Sequence, residues 1–160
     1  VAHNNVRGMR SVPAGVNQNQ LHHPGVDALW TTAEELGIVI NVLIHVNLAS
    51  ELEALLQRHP ALRVVLDHCM YPRGKDGLGG ETIQRVLGLA RYPNLYAKLT
   101  WLVDSSDMDD PFTDTYPLLR ESSTPMARSA VCGAAIFPAS YGHPRRAMPA
   151  ISSCLPARWA

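Results

Sequence analysis

The chain has 160 residues, 46% of them hydrophobic and 18% charged, and its formal net charge is zero. That is enough for one ordinary domain, and the balance argues against a nucleic-acid binder or a protein drawn to an anionic membrane. No apolar run approaches the roughly 20 residues of a membrane span, and the opening VAHNNVRGMR has neither signal-peptide layout nor an initiator Met, so the chain reads as the interior of something longer.

In chain order, Val6–Val12 (VRGMRSV) reads as a short strand carrying Arg7 and Arg10, closed by a turn at Pro13–Gly15. Val26–Leu36 has helical spacing, with Leu29, Ala33 and Leu36 on one side and Gly37 as the stop. Ile38–Val46 (IVINVLIHV) is β-branched and almost wholly apolar, the pattern of a strand covered on both faces. Ser50–Arg58 opens with a capping serine and an acidic first turn and turns Leu52, Leu55 and Leu56 inward. Arg63–Asp67 is the next strand, Gly74–Gly80 a mobile glycine-rich loop, and Glu81–Arg91 a third amphipathic helix. Leu95–Leu102 is the fourth strand, followed by an acidic loop over Asp104–Asp114.

Strands and helices alternating at this spacing build βαβ units and a parallel sheet. No GxGxxG follows a strand and no GxxxxGK[ST] occurs, so neither a dinucleotide nor a nucleoside-triphosphate fold is favoured. In parallel α/β folds the chemistry collects at the carboxyl ends of the strands. Arg10, His45, the pair Asp67-His68, and Lys98 with Thr100 all fall there.

The three cysteines, Cys69, Cys132 and Cys154, are odd in number and share no CxxC spacing. They imply neither a disulfide framework nor a zinc knuckle, and a reducing cytoplasm is the expected compartment. Cys69, beside His68, reads as a small buried filler before it reads as a nucleophile.

The chain also has a seam. Every acidic residue lies at or before Glu121, and from Ser122 to Ala160 there is no Asp, Glu or Lys. Residues 1–121 therefore read as the folded part and 122–160 as an irregular, disordered or out-of-frame tail. One permitted coding of Arg128–Pro138 (RSAVCGAAIFP), read one base out of frame, gives AERCMWGSDFP, which has the form of a strand ending in Ser-Asp. The expectation is that the frame changed near residues 117–122, and the nucleotide sequence tests it.

RGMR, then DALW..AEELGIVINVLI, then L..RHP.LRVVLDH, then YPNLYAKLT, resemble the amidohydrolase-related proteins, the "amidohydrolase 2" group of metal-dependent hydrolases. The likeness runs from about Val6 to Trp101 and implies a partial (β/α)8 TIM barrel, strands four to seven of eight. The out-of-frame ERCMWGSDFP is similar to the family's last barrel strand, which carries a catalytic Asp. The resemblance further implies hydrolysis of an ester, lactone or amide in a small carboxylated substrate, or decarboxylation in some relatives. A divalent metal, commonly zinc, would polarise the carbonyl, although some lactone hydrolases of the group work without one.

By residue, LDH.MYP is similar to the family's DH.G.P, so His68 takes the late-strand histidine, a catalytic and metal-ligating position, with Asp67 beside it. Arg10 falls on the GxR arginine and Lys98 on the VKLS lysine, both substrate-binding by this likeness. His45 matches a strand-tip site where some branches have a metal histidine. The remaining His3, His22, His23, His59 and His143 are read as structural or solvent-facing. No HxH pair occurs; His22-His23 are adjacent and loop-borne. Three strands precede those present here and the last is out of frame, so the fragment is expected to be poorly stable or inactive alone, and a non-catalytic remnant of a damaged gene is the competing reading. A small molecule is the expected partner, self-assembly is left open, and neither nucleic acid nor membrane is expected.

Overall fold

The computed structural model describes residues 5–12, 21–100, 102–109 and 111–126. Its element order is β1 (Gly8–Ser11), α1 (Pro24–Glu35), β2 (Val39–Val42), α2 (Ala49–Arg58), β3 (Val64–Leu66), α3 (Glu81–Leu89), β4 (Leu95–Ala97), α4 (Leu102–Ser105) and α5 (Tyr116–Met126). Four strands lie in chain order, β1-β2-β3-β4, and every neighbouring pair is parallel. Fold and topology are those of a partial α/β barrel: short parallel strands joined by helical crossovers, with the helices packed on one face.

Strand pleating decides what each side chain meets. The register aligns Met9, Ile40, Val64 and Leu95 in one row and Ser11, Val42, Leu66 and Ala97 in the next. Ile40, Val42, Val64, Leu66, Leu95 and Ala97 in these rows are buried in the core that also takes in Trp30, Leu52, Leu55, Leu56, Val86 and Leu89 of the helices. The intervening row, Arg10, Asn41, Val65 and Tyr96, points to the opposite face.

Two helix ends behave as their sequence dictates. His23 accepts a hydrogen bond from the Gly25 N–H at the start of α1, and Gly37 stands at φ +65° just beyond its end, a conformation that costs glycine least. α2 departs from expectation: it begins at Ala49, with Leu48 in the capping position and no side-chain cap. A 3-10 turn over Val46–Leu48 runs straight into it, which leaves Ser50 inside the first turn.

Other expectations are corrected. The strands are shorter than the apolar runs, because β2 ends at Val42 and β4 at Ala97; the following residues leave the ladder to form the strand tips. Gly74–Gly79, expected as a loop, forms 3-10 turns. The acidic stretch after β4 holds α4, a 3-10 turn over Thr113–Thr115, and then α5, which buries Leu118 and Ser122. Helix α5 continues through the expected seam to Met126; the rest of the expected tail, 127–160, lies outside the described residues, as do His3 and His143. Among the described residues no helix is long and apolar enough to cross a membrane.

Candidate active site

At the carboxyl end of β3 the chain makes an abrupt change. Leu66 is extended, Asp67 is fully buried, and the next four residues, His68, Cys69, Met70 and Tyr71, all take left-handed backbone at φ 54°, 49°, 61° and 58°. Each non-glycine residue held there costs roughly 1–2 kcal/mol, so the packing around the segment must hold it in place. The chain thereby turns His68 and Tyr71 out over the strand ends.

Asp67 is the hub. One carboxylate oxygen, Oδ1, accepts a hydrogen bond from Lys98 Nζ at 2.9 Å. Its other oxygen lies 3.0 Å from an Arg10 guanidinium nitrogen, an ion pair without hydrogen-bond alignment, so this buried atom accepts no hydrogen bond. Arg10 lies on β1, Asp67 and Lys98 lie directly beyond the ends of β3 and β4, and the register explains the meeting. Arg10 and Val65 share the row facing away from the helices, and Asp67 and Lys98 each lie two residues beyond members of that row, on the same side. The Lys98 backbone N–H prolongs the ladder by donating to the Leu66 carbonyl.

His68 stands beside this triad. Its Nδ1 is 2.6 Å from Thr100 Oγ1. The Tyr71 ring packs against it with centroids 5.0 Å apart, and against His45 at 5.3 Å. Burial pushes the His68 pKa below the usual histidine value; the Lys98 and Arg10 cations act the same way, while Asp67 and a backbone hydrogen bond to Thr100 oppose it. The ring therefore favours its neutral form. Tyr71 is shifted up, chiefly by burial and then by Asp104 and Asp67.

Cys69 is buried, its thiol pushed up to about 12 by desolvation alone, with Sγ 3.5 Å from the Lys98 carbonyl. It is a filler, and no thiolate nucleophile is available in it. Beside His68 a narrow crevice of about 20 Å³, walled by Lys98, Thr100, Ser105, Thr115 and Leu118, has room for about one water.

The structure thus brings Arg10, Asp67, His68 and Lys98 together at the strand ends, with exposed His45 at the edge, on the far side of a shared tyrosine contact. Sequence reasoning noticed Thr100 only as a strand-tip neighbour and did not single out Tyr71. Their signal was the offset from Lys98 and His68, visible once the register is known. Among the described residues no three His, Cys, Asp or Glu side chains are grouped to hold an ion, so His45 and His68 by themselves do not complete a donor set. Asp67 is moreover already engaged by two cations. The donor set of these residues alone does not fit a metal.

Residues 1–123 match the amidohydrolase family; no curated protein matches the sequence. Among solved structures the fold is similar to an amidohydrolase from Burkholderia multivorans, with a TM-score of 0.61. One of its crystal forms, with bound HEPES, shows 19% identity over 73% of this chain and 45% of that one. Another contains bound zinc, at 20% identity over 73% and 44%. A Pseudomonas putida protein assigned as a 2-pyrone-4,6-dicarboxylic acid hydrolase has a TM-score of 0.63 and 21% identity over 76% of this chain and 45% of that one. A protein of the same assignment from Acinetobacter baumannii, with citric acid bound, has a TM-score of 0.60 and 15% identity over 80% and 46%. The chain therefore spans less than half the length of these structures.

Proposed function

The chain belongs to the amidohydrolase family, and we propose that it supplies one half of a barrel hydrolase acting on an ester, lactone or amide bond of a small carboxylated molecule. The observation that carries this reading is the meeting of Arg10, Lys98 and His68 around a buried Asp67 at the strand ends. With His68 neutral, the cluster counts two cations against one carboxylate, an excess of positive charge suited to an anionic substrate. Arg10 is half exposed and offers a guanidinium fork to a substrate carboxylate. The Acinetobacter relative holds a tricarboxylate, citric acid, and both assigned relatives are named for a dicarboxylated lactone.

In this reading His68 takes the proton from a water as the oxygen of that water bonds to the substrate carbonyl carbon. The tetrahedral adduct then collapses as the imidazolium returns that proton to the departing oxygen or nitrogen, so that the C–O or C–N bond breaks with release of the alcohol or amine. Asp67 holds Lys98 and Arg10 in place and is given no part as a base, because its two carboxylate oxygens already face those cations at 2.9 and 3.0 Å. A divalent metal such as zinc, when present in the family, polarises the carbonyl. Here it would need donors beyond His68 and His45, and no step is routed through one. A cytoplasmic setting, a small-molecule partner and little or no turnover by these 160 residues alone belong to the same proposal.

The test is a chimera. Residues 5–122 replace the matching segment of the Pseudomonas putida relative, and carboxylated lactones, esters and amides are assayed for acid release, with carbon dioxide release in parallel. Hydrolysis that is lost on His68→Gln supports the reading. A folded chimera that releases only carbon dioxide makes it a decarboxylase, and one that binds but turns over nothing makes the segment a non-catalytic remnant.

A further inference from the structure

We propose that two copies of this chain close on each other as a two-fold dimer of half-barrels, β4 of each pairing in parallel with β1 of the other; the inference rests on the fold and not on the hydrolase reading. The sheet has two edges, β1 and β4, and among the described residues no strand pairs with the outer side of either. Backbone alternation makes these edges complementary. The Val39 and Leu43 N–H groups donate to the carbonyls of Arg7 and Ser11, so those residues face β2, and the N–H and C=O of Gly8 and Arg10 point out of the edge. The Val64 N–H donates to the Asn94 carbonyl and the Lys98 N–H to the Leu66 carbonyl, so Asn94, Tyr96 and Lys98 face β3, and Ala97 points out of the opposite edge. Each edge is an open template for another strand.

The face away from the helices is uncovered as well. Arg10 is exposed and Asn41, Val65 and Tyr96 are half-buried, whereas their neighbours Ile40, Val64 and Leu95 on the helix side are fully buried. Val6 lies two residues before Gly8 and Val12 two after Arg10, so both share that face by alternation. They stand 39% and 46% exposed. With Val39 and Val65 they give the uncovered face an apolar share next to an open edge.

A second copy is what fits. A barrel of this kind closes at eight strands, and the four strands here each carry a helix, with α5 completing the fourth unit beside α3. Strands begin at residues 8, 39, 64 and 95, so one unit takes about 30 residues, and residues 127–160 have room for one more at most. The remainder of this chain therefore cannot close the sheet. Another copy supplies four strands of the same twist with helices already on the outside. A two-fold axis along the barrel joins β4 to the other copy's β1 at both seams at once, a closed symmetry. Pairing β1 with β1 would satisfy one edge and leave β4 and the inner face open. Because every strand is parallel, closure brings both copies of Arg10, Asp67 and Lys98 to the same mouth.

The experiment follows the whole 160-residue chain by sedimentation velocity over a concentration series, with amide hydrogen exchange read by nuclear magnetic resonance at both ends of that series. The expected result is a monomer–dimer equilibrium without larger species, in which the Arg10 and Ala97 amides gain protection together with the dimer fraction, by about tenfold or more. The double variant Val6→Lys, Val12→Lys alters only exposed positions but puts charge inside the closed barrel, and should raise the midpoint concentration about tenfold or more. Leu36→Lys, at a residue 49% exposed just beyond α1, should leave the midpoint within about twofold, the usual reach of an isolated surface change. A chain that stays monomeric throughout overturns the proposal, whether its edge amides are open or already protected by its own remaining residues. Protection of Arg10 without Ala97 means β1 pairs with β1, and equal effects of the Val6, Val12 and Leu36 changes mean unspecific association; either overturns it. No turnover enters, so a chimera that fails to hydrolyse leaves this result standing, and a monomer here leaves the hydrolase reading standing.

Discussion

Two clusters of the same chemical types stand at opposite ends of the sheet. At the carboxyl ends, Arg10, Asp67, His68 and Lys98 meet; at the amino ends, Asp27, Glu34, Arg58 and His59 do. In the lower cluster the two ring nitrogens of His59 face Glu34 at 3.2 Å and Asp27 at 3.3 Å. Asp27 also pairs with Arg58 at 2.8 Å, and Glu34 accepts from the Ala61 N–H. Every charged group there has a partner in the scaffold, and His59 is buried against Trp30. The upper cluster leaves Arg10 half exposed, a buried carboxylate oxygen without a hydrogen bond, and four residues in left-handed backbone. The lower cluster closes on itself and fastens α1 to α2. The upper one keeps strained backbone and a half-exposed cation, whereas the lower one has ordinary backbone and its unpaired buried atom is the Trp30 Nε1 beside His59.

The largest effect that would sharpen this contrast is kinetic. In the barrel chimera, His68→Gln should lower turnover by roughly 100- to 10,000-fold, the usual worth of a general base, whereas His59→Gln should leave the turnover of folded protein within about threefold. Equal losses would erase the distinction. Stability should run the other way. His59→Ala removes a buried ring with two hydrogen bonds to carboxylates and should cost about 2–3 kcal/mol in urea unfolding. His68→Gly relieves one left-handed residue and should stay within about 1 kcal/mol of wild type.

A smaller effect concerns pH. The His68 pKa is depressed below its ordinary 6.5 by burial, so the folded state favours the neutral ring. The corresponding stability is fully present above pH 6.5 and is lost as pH falls through the lower folded value. Urea midpoints measured from pH 7.5 downward should therefore fall more steeply below 6.5 in wild type than in His68→Gln; parallel curves would contradict the assignment. The smallest expected effect is at Cys69. With its thiol pushed up to about 12, iodoacetamide at pH 8 should leave the Cys69 peptide unmodified until the chain is unfolded, as peptide mass spectrometry would show.

Much of the upper cluster was legible in the sequence because the parallel sheet is announced locally. The β-branched run IVINVLI, the apolar RVVL and the Gly37 helix stop place the strands, and the tips follow by counting. What the sequence hid is what depends on distant partners. His59 meets residues 25 and 32 positions away, so nothing near it shows that it is buried and paired rather than exposed. The left-handed run falls on His, Cys, Met and Tyr, none of which carries the glycine signal for such backbone. Helices α4 and α5 were masked by Pro111, Pro117 and Pro125 and by the acidic residues between them; a proline is tolerated in a first turn, where Pro117 lies in α5. The frame change proposed for the segment beyond Glu121 is a matter for the DNA, since α5 reaches Met126 and the described residues end there.

The central claim is that Arg10, His68 and Lys98 open onto one anion-binding place at the strand ends. It is tested most directly by titrating the labelled chain with 2-pyrone-4,6-dicarboxylate while following the Arg10 side chain and the His68 and His59 rings by nuclear magnetic resonance. The account predicts saturable shifts of Arg10 and His68 with a common midpoint, abolished by Arg10→Met, and an unmoved His59. Arg10 and His68 signals that do not move, or that move only in step with His59, would contradict it.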